Sequence, residues 1–107
     1  MTDDANVAIP ESSLTGISVV MPIRNEERYL RASVSAILNQ DVGQRPLEVV
    51  LAIGPSTDRT LEIAREMSEA DSRVRWVLNP SGKTPTALNI AIAHAQYDMI
   101  GRGDGHA

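Results

Sequence analysis

The sequence predicts an α/β domain, a parallel sheet with flanking helices in the order βαβαβαβ. Three observations carry that expectation. Short, β-rich and mostly apolar segments recur at Ile17–Met21, Glu48–Ile53, Val74–Leu78 and Met99–Arg102. Strands covered on both faces read in this way. Segments with helical periodicity separate them, each about a dozen residues long, as a crossover between parallel strands requires. The polar residues with distinctive chemistry collect just after the strands, where sheets of this kind bind ligands.

The elements follow in order. Residues 1–16 are polar and acidic, carry Pro10 and the Ser12-Ser13 pair, and show no periodicity. They are expected to form a disordered tail ahead of a domain spanning residues 17–107. Pro22 is expected to end the first strand, because proline has no N–H for a ladder. Asn25 then caps a predicted helix over Glu26–Asn39, with Glu26 and Glu27 at the positive end of its dipole. Leu30, Val34, Ile37 and Leu38 share one face of it. The second strand ends in Gly54-Pro55-Ser56-Thr57-Asp58, a turn rich in capping oxygens. A second helix over Asp58–Ala70 turns Leu61, Ala64 and Met67 inward. After the third strand comes the loop Asn79–Lys83. Thr84 reads as an N-cap and Pro85 as the first helical residue of a third helix. Leu88, Ala91, Ile92 and Ala95 form its predicted stripe.

Composition narrows the function classes. The 107 residues suffice for one small domain, and 42% are hydrophobic, as a packed core demands. Aromatics are few (Tyr29, Trp76, Tyr97), so the core rests on Val, Ile, Leu and Ala. The formal net charge is −4 with no basic cluster, which argues against nucleic-acid binding. No cysteine is present, which excludes disulfides, cysteine-ligated zinc and thiol catalysis. No basic stretch followed by an apolar run reads as a secretion signal. The expected location is cytoplasmic, at the inner face of the membrane for a longer parent.

Four stretches carry candidate chemistry. Asp104-Gly105-His106 places a carboxylate and an imidazole two residues apart, on one side if the segment is extended. Such a pair can share a divalent ion, and its mixed oxygen and nitrogen donors suit Mn²⁺ better than Mg²⁺. A plain Asp-Gly turn is the alternative. Pro22-Ile23-Arg24-Asn25-Glu26 joins a strand to a helix, where free N–H groups attract anions or base edges. Glu26 could bond a ribose or base, and capping alone is the alternative. Ser81-Gly82-Lys83-Thr84 matches the end of a phosphate loop, but Val77 stands where the full motif needs its first glycine. A nucleotide triphosphatase loop is therefore rejected, leaving Lys83 beside a helix N-terminus as a diphosphate contact or a solvated lysine. Arg102-Gly103-Asp104 spells an adhesion tripeptide, a match too short to carry weight. His94 reads as a surface or partly packed residue.

Taken in order, five pieces resemble the family 2 glycosyltransferases. They are Ile17 through Glu27, Glu48-Val49-Val50, Pro55 through Thr60, Gly82-Lys83 with Ala87-Leu88-Asn89, and Arg102 through His106. The resemblance covers residues 17–107 and implies the Rossmann-like N-terminal half of a GT-A fold. It implies binding of a nucleotide-sugar donor, a UDP- or GDP-sugar, and transfer to an acceptor saccharide or lipid-linked saccharide. By motif position it assigns donor binding to Pro22, Ile23, Arg24, Asn25, Glu26, Gly54, Ser56, Lys83 and Asp104. It assigns Mn²⁺ or Mg²⁺, with Mn²⁺ favoured, to Asp104 and His106. Two departures stand out. Ile53-Gly54 occupy the place of an Asp-Asp pair common in the family, and His106 replaces the second Asp of the metal motif. Both changes are similar to the succinoglycan and exopolysaccharide-synthesis subgroup. The acceptor half and catalytic base of such enzymes follow the metal motif. The chain is therefore expected to bind donor without turnover and to expose a sheet edge open to self-association. A stand-alone α/β binding or interaction module, without metal or nucleotide, is the alternative.

Overall fold

β2, Leu47–Ile53, is buried at every one of its 7 positions. A strand without a solvent face must lie inside a sheet covered on both sides, and the rest of the architecture follows from that. The computed structural model describes residues 15–103. Around β2 are β1 (Ile17–Ile23), α1 (Leu30–Leu38), α2 (Thr60–Ala70), β3 (Val74–Leu78), α3 (Thr84–His94) and β4 (Met99–Arg102). The sheet order is β3-β2-β1-β4, and every pairing is parallel.

Alternation along the strands divides the core in two. Val19, Met21, Ile23, Val49, Leu51 and Ile53 pack with Leu30 and Val34 of α1 and Ile63 and Ala64 of α2. Val20, Val50 and Ala52 pack with Ala87 and Ala91 of α3. The connections β1 to β2 and β2 to β3 step one way across the sheet, and β3 to β4 steps back across it. With one crossover hand, α3 must then lie opposite α1 and α2, and the two clusters place it there.

Several boundaries differ from expectation. β1 continues through Pro22, which pairs in register with Ala52. The Ile23 carbonyl accepts from Gly54 of the β2 side, and the Val20 carbonyl accepts from Gly103 of the β4 side. Alternation turns Pro22 towards β4, whose pairing among the described residues stops at Val20 and Arg102. The missing N–H therefore costs no ladder bond. α1 starts at Leu30, because residues 24–29 form a loop held by another loop. On α3, Ala87 and Ala91 are the buried face, whereas Ile92 is 46% exposed. Lys83, not Thr84, occupies the N-cap position, with Pro85 in the first turn. Thr15 and Gly16, the end of the predicted tail, are tied down. The Thr15 carbonyl accepts from Arg45 at 3.0 Å, and a Cβ on Gly16 would collide with the Tyr97 ring. The remainder of that tail lies outside the described residues. So do Asp104, Gly105 and His106. Among the described residues no helix is long and apolar enough to cross a membrane.

One buried charge joins both edges of the sheet. Glu48 is 3% exposed. Its Oε2 accepts from the Ser18 hydroxyl at 2.6 Å and from the Gln96 N–H at 2.7 Å. Its Oε1 accepts from Arg75 at 3.0 Å. Arg75 also reaches the His94 carbonyl at the end of α3, at 2.7 Å. Burial alone would push the Glu48 carboxyl up. The Gln96 N–H, the Ser18 hydroxyl and Arg75, with the Arg75 charge, outweigh burial and hold it below the ordinary 4.5. A lowered folded-state value stabilises the fold above the unfolded value, and that stability is lost as pH falls through the folded value. Urea unfolding followed from about pH 7 down to about pH 3 should therefore show a midpoint that drops below pH 4.5. The Glu48→Gln chain should drop less over the same span. Equal drops would remove Glu48 as the source.

Candidate functional site

Because all four strands are parallel, the loops after β1, β2 and β3 and the exit from β4 meet at one edge. The chain order reverses between β1 and β4, so the switch point of the sheet lies there. Two of these loops are clasped by side chains. The Asn25 N–H donates to Ser56 Oγ at 3.0 Å. The Glu26 N–H donates to Thr60 Oγ1 at 2.9 Å, and the Glu27 N–H to Asp58 Oδ2 at 3.2 Å. In return, Asn25 Oδ1 accepts from the Thr57 N–H at 2.8 Å, and Glu27 Oε1 from the Arg59 N–H at 3.0 Å.

The expected free amides of the β1–α1 loop are thus engaged by the β2–α2 loop. Pro55 through Thr60 acts first as a fastener. Burial pushes the Asp58 carboxyl up, but the hydroxyl and N–H of Thr60 and the Glu27 N–H hold it below its ordinary value. Asn25 sits at φ 51, a left-handed conformation that asparagine tolerates better than most residues. Asn25 is thus a loop residue, not the cap of a helix.

The third loop is closed by Asn79, which is 2% exposed. Its amide nitrogen donates to the Lys83 carbonyl at 3.1 Å, and its Oδ1 accepts from Ser81 at 2.9 Å. Its own N–H donates to Ile53 of β2 at 2.8 Å. Sequence reasoning placed Asn79 in a loop without giving it a role. The available signal was Asn-Pro directly after a strand, which favours turn initiation. Thr60, fully buried, was likewise missed as the link between loops one and two.

The loops touch at glycines. A Cβ on Gly54 would stand 3.2 Å from the Gly82 Cα, and one on Gly82 would stand 3.2 Å from both Arg24 Nη1 and Pro55 Cδ. Gly82 also has φ 69, which a side chain rarely accepts. Arg24 Nε donates to the Pro55 carbonyl at 3.1 Å, laying the guanidinium across this junction. The result is a cleft of about 190 Å³ lined by Pro22, Ile23, Arg24, Glu26, Gly54, Asn79, Gly82, Thr84 and Ala87. A wider groove of about 800 Å³ runs past Asn25, Glu26, Tyr29 and Asp58.

The cleft brings together five expected site residues: Pro22, Ile23, Arg24, Glu26 and Gly54. Asn25 faces the neighbouring groove. Ser56 lies in a third depression with Leu61 and Leu78. Lys83 is exposed between the two cleft residues Gly82 and Thr84. β4 delivers Gly103 to the same edge. There its N–H bonds to Val20, and a Cβ would stand 2.9 Å from Ile37 Cδ1. Among the described residues no three His, Asp or Glu side chains are grouped to hold a metal. His94 is exposed on α3, its Nδ1 2.9 Å from the Ile90 carbonyl, far from any such role.

Residues 18–107 match the family model of Glycosyl transferase family 2. The chain belongs to that family. Its four-stranded sheet and three helices are the N-terminal part of a GT-A fold. The succinoglycan biosynthesis protein ExoA of Rhizobium meliloti is 35% identical over 98 residues, covering 90% of this chain and 29% of that protein. A mannosyltransferase of Pyrobaculum calidifontis, solved with GDP-Man and Mn²⁺, superposes with a TM-score of 0.71 at 28% identity. The match covers 94% of this chain and 30% of that one. Glucosyl-3-phosphoglycerate synthase of Mycobacterium tuberculosis, solved with Mn²⁺ and UDP, gives a TM-score of 0.66 at 25% identity. There the match covers 89% and 34% of the two chains. This family 2 chain spans about a third of the length of curated relatives such as a Haemophilus influenzae glycosyltransferase, 33% of which it covers.

The clasp gives Asn25 two separable jobs, a left-handed backbone and an acceptor for Thr57. Asn25→Ala should lose both and destabilise the chain by about 1–3 kcal/mol. Asn25→Gly keeps the backbone freedom and should lose less. Urea titration of the two variants reads the difference. Equal losses would mean that the left-handed conformation carries no cost at this position.

Proposed function

We propose that this chain is the donor-binding part of a metal-dependent glycosyltransferase acting in polysaccharide or glycoconjugate synthesis. The observation that carries the proposal is the convergence of the loops after β1, β2 and β3, together with the exit of β4, on one edge of a family 2 sheet. In this reading Arg24, Glu26 and Gly54 face the nucleotide-sugar in the cleft, with Pro22 and Ile23 forming its floor. Asn25 and Ser56 hold the loop that carries Arg24 and Glu26. Lys83 offers its ammonium to the donor diphosphate from the rim.

Asp104 and His106 follow β4 directly and are proposed to hold the metal. Their donor set fits a divalent ion shared with a ligand. One carboxylate and one imidazole leave most of an octahedral shell open to diphosphate oxygens and water. The oxygen–nitrogen mixture favours Mn²⁺ over Mg²⁺. When bound, the ion would act as a Lewis acid that neutralises the leaving diphosphate. The solved relatives with GDP-Man or UDP and Mn²⁺ support a UDP- or GDP-sugar donor. The acceptor, a saccharide or lipid-linked saccharide, would be met by the remainder of a longer enzyme at the inner face of the membrane. Met99 and Ile100 of β4 are 44% and 40% exposed, so the edge they form is where self-association of the isolated chain would occur.

Calorimetric titration of UDP, then GDP, with and without Mn²⁺, should show binding of one nucleotide that strengthens with the metal. In Asp104→Ala the nucleotide should bind as weakly as it does to the metal-free chain. A folded chain that takes up neither nucleotide would overturn the proposal in favour of a module without nucleotide. The same samples, given the matching nucleotide-sugar, should release no sugar. Release that scales with protein concentration would show that this chain carries its own catalytic base.

A further inference from the structure

We propose that Glu48 and Ser18, at the end of the sheet remote from the cleft, are positioning residues for the segment that follows β4. The proposal rests on Asp104 and His106 being the metal-holding pair. β4 has only 4 residues, three of them exposed, and one of the four is glycine. Its own side chains contribute little to the core. Strands that are short of buried side chains and rich in glycine specify their register weakly. A slip of one residue along β1 would displace everything downstream by about 3.3 Å and reverse which side of the strand each residue occupies. A metal site built from residues two apart does not survive that displacement, so something other than β4 must set its register.

The structure supplies that fixture at the start of the strand. Ser18 and Glu48 are register partners on adjacent strands, both buried. Glu48 Oε2 accepts the Gln96 N–H at 2.7 Å. Ser18 Oγ accepts the Tyr97 N–H at 3.2 Å while donating to Glu48. Two consecutive amides just before β4 are therefore captured by buried side chains of β1 and β2. They are caught at a fixed spacing, which admits one register. The Tyr97 ring lies against Gly16, where a side chain would collide with it. Arg75 holds the other carboxylate oxygen of Glu48, so the acceptor cannot rotate away. At the far end Gly103 is bonded to Val20 and tucked beside Ile37 and Met21. β4 is thus pinned by buried side chains before its start and by Gly103 after its end, with its four residues paired to β1 between them.

The test uses the whole 107-residue chain with Glu48→Gln, and with Ser18→Ala as the milder variant should the first fail to fold. Glu48→Gln keeps the shape but places an amide where a carboxylate accepted. Amide exchange by NMR should accelerate about tenfold or more at Gln96, Tyr97 and Gly103. Leu51 in β2 and Ile63 in α2 should accelerate less, by no more than the variant's loss of global stability. Titration of Mn²⁺ in the presence of the bound nucleotide should weaken about tenfold, with metal-free nucleotide binding unchanged. Faster exchange spread evenly over all strands, or unchanged Mn²⁺ affinity in variants that have lost local protection, would overturn the proposal and leave a purely structural role. A wild-type chain that takes up no Mn²⁺ would instead sink the metal assignment. The exchange pattern alone would then decide whether Glu48 and Ser18 fix β4.

Discussion

The parallel pairing of β1 with β2 is the constraint on which everything else depends. Seven register pairs, Ile17 with Leu47 through Ile23 with Ile53, align the two strands end to end. Both faces of this pair are apolar, so helices must cover both. Right-handed crossovers then decide which helix goes where. Parallel strands also send their carboxyl ends to the same edge, which brings together loops from residues 24, 54 and 79. The cleft is a consequence of that alignment, not of any one motif.

Loop positions are set by a second kind of interaction. The β1–α1 loop pairs its Tyr29 N–H with the Glu26 carbonyl, but the amides of Asn25, Glu26 and Glu27 would be unsatisfied without help. Ser56, Thr60 and Asp58 satisfy three of them in succession, and Asn25 and Glu27 answer in the other direction. A polar clasp of this sort orders a loop without filling the space beside it. Glycine at 54 and 82 serves the same end, since it lets two backbones meet where side chains would keep them apart. Arg24 crosses that junction and brings a charge to the mouth of the cleft.

Much of this was legible in the residues. The unbroken apolar run of β2 and the near-continuous run of β1 announced a parallel sheet. The helical stripe Leu30, Val34, Ile37 and Leu38 packs as its spacing predicts. Five of the residues expected at the site line one cleft. Other features were not legible, for identifiable reasons. Pro22 reads as a strand terminator unless one knows that its missing N–H faces away from β2, the strand it pairs with. Asn25 reads as a cap because the residue that occupies its oxygen, Thr57, lies far along the chain. Asp58 does hold the nearby Thr60 N–H with one oxygen, but its other oxygen accepts from the distant Glu27 N–H, beyond any local pattern. Ile92 fits the α3 stripe, yet α3 meets the sheet through its alanines, which allow a close approach that a larger face would prevent.

The sequence by itself determined the element order, the parallel class of the sheet and the family, because periodicity, breakers and motif spacing are properties of neighbours along the chain. Only the tertiary structure decided that β4 joins β1, that the β2–α2 loop clasps the β1–α1 loop, and that Glu48 is a buried acceptor for the Gln96 amide 48 positions away. Those outcomes turn on which buried polar groups find partners across the fold. A carboxylate in an apolar strand carries no sign of its partner until the sheet has closed around it.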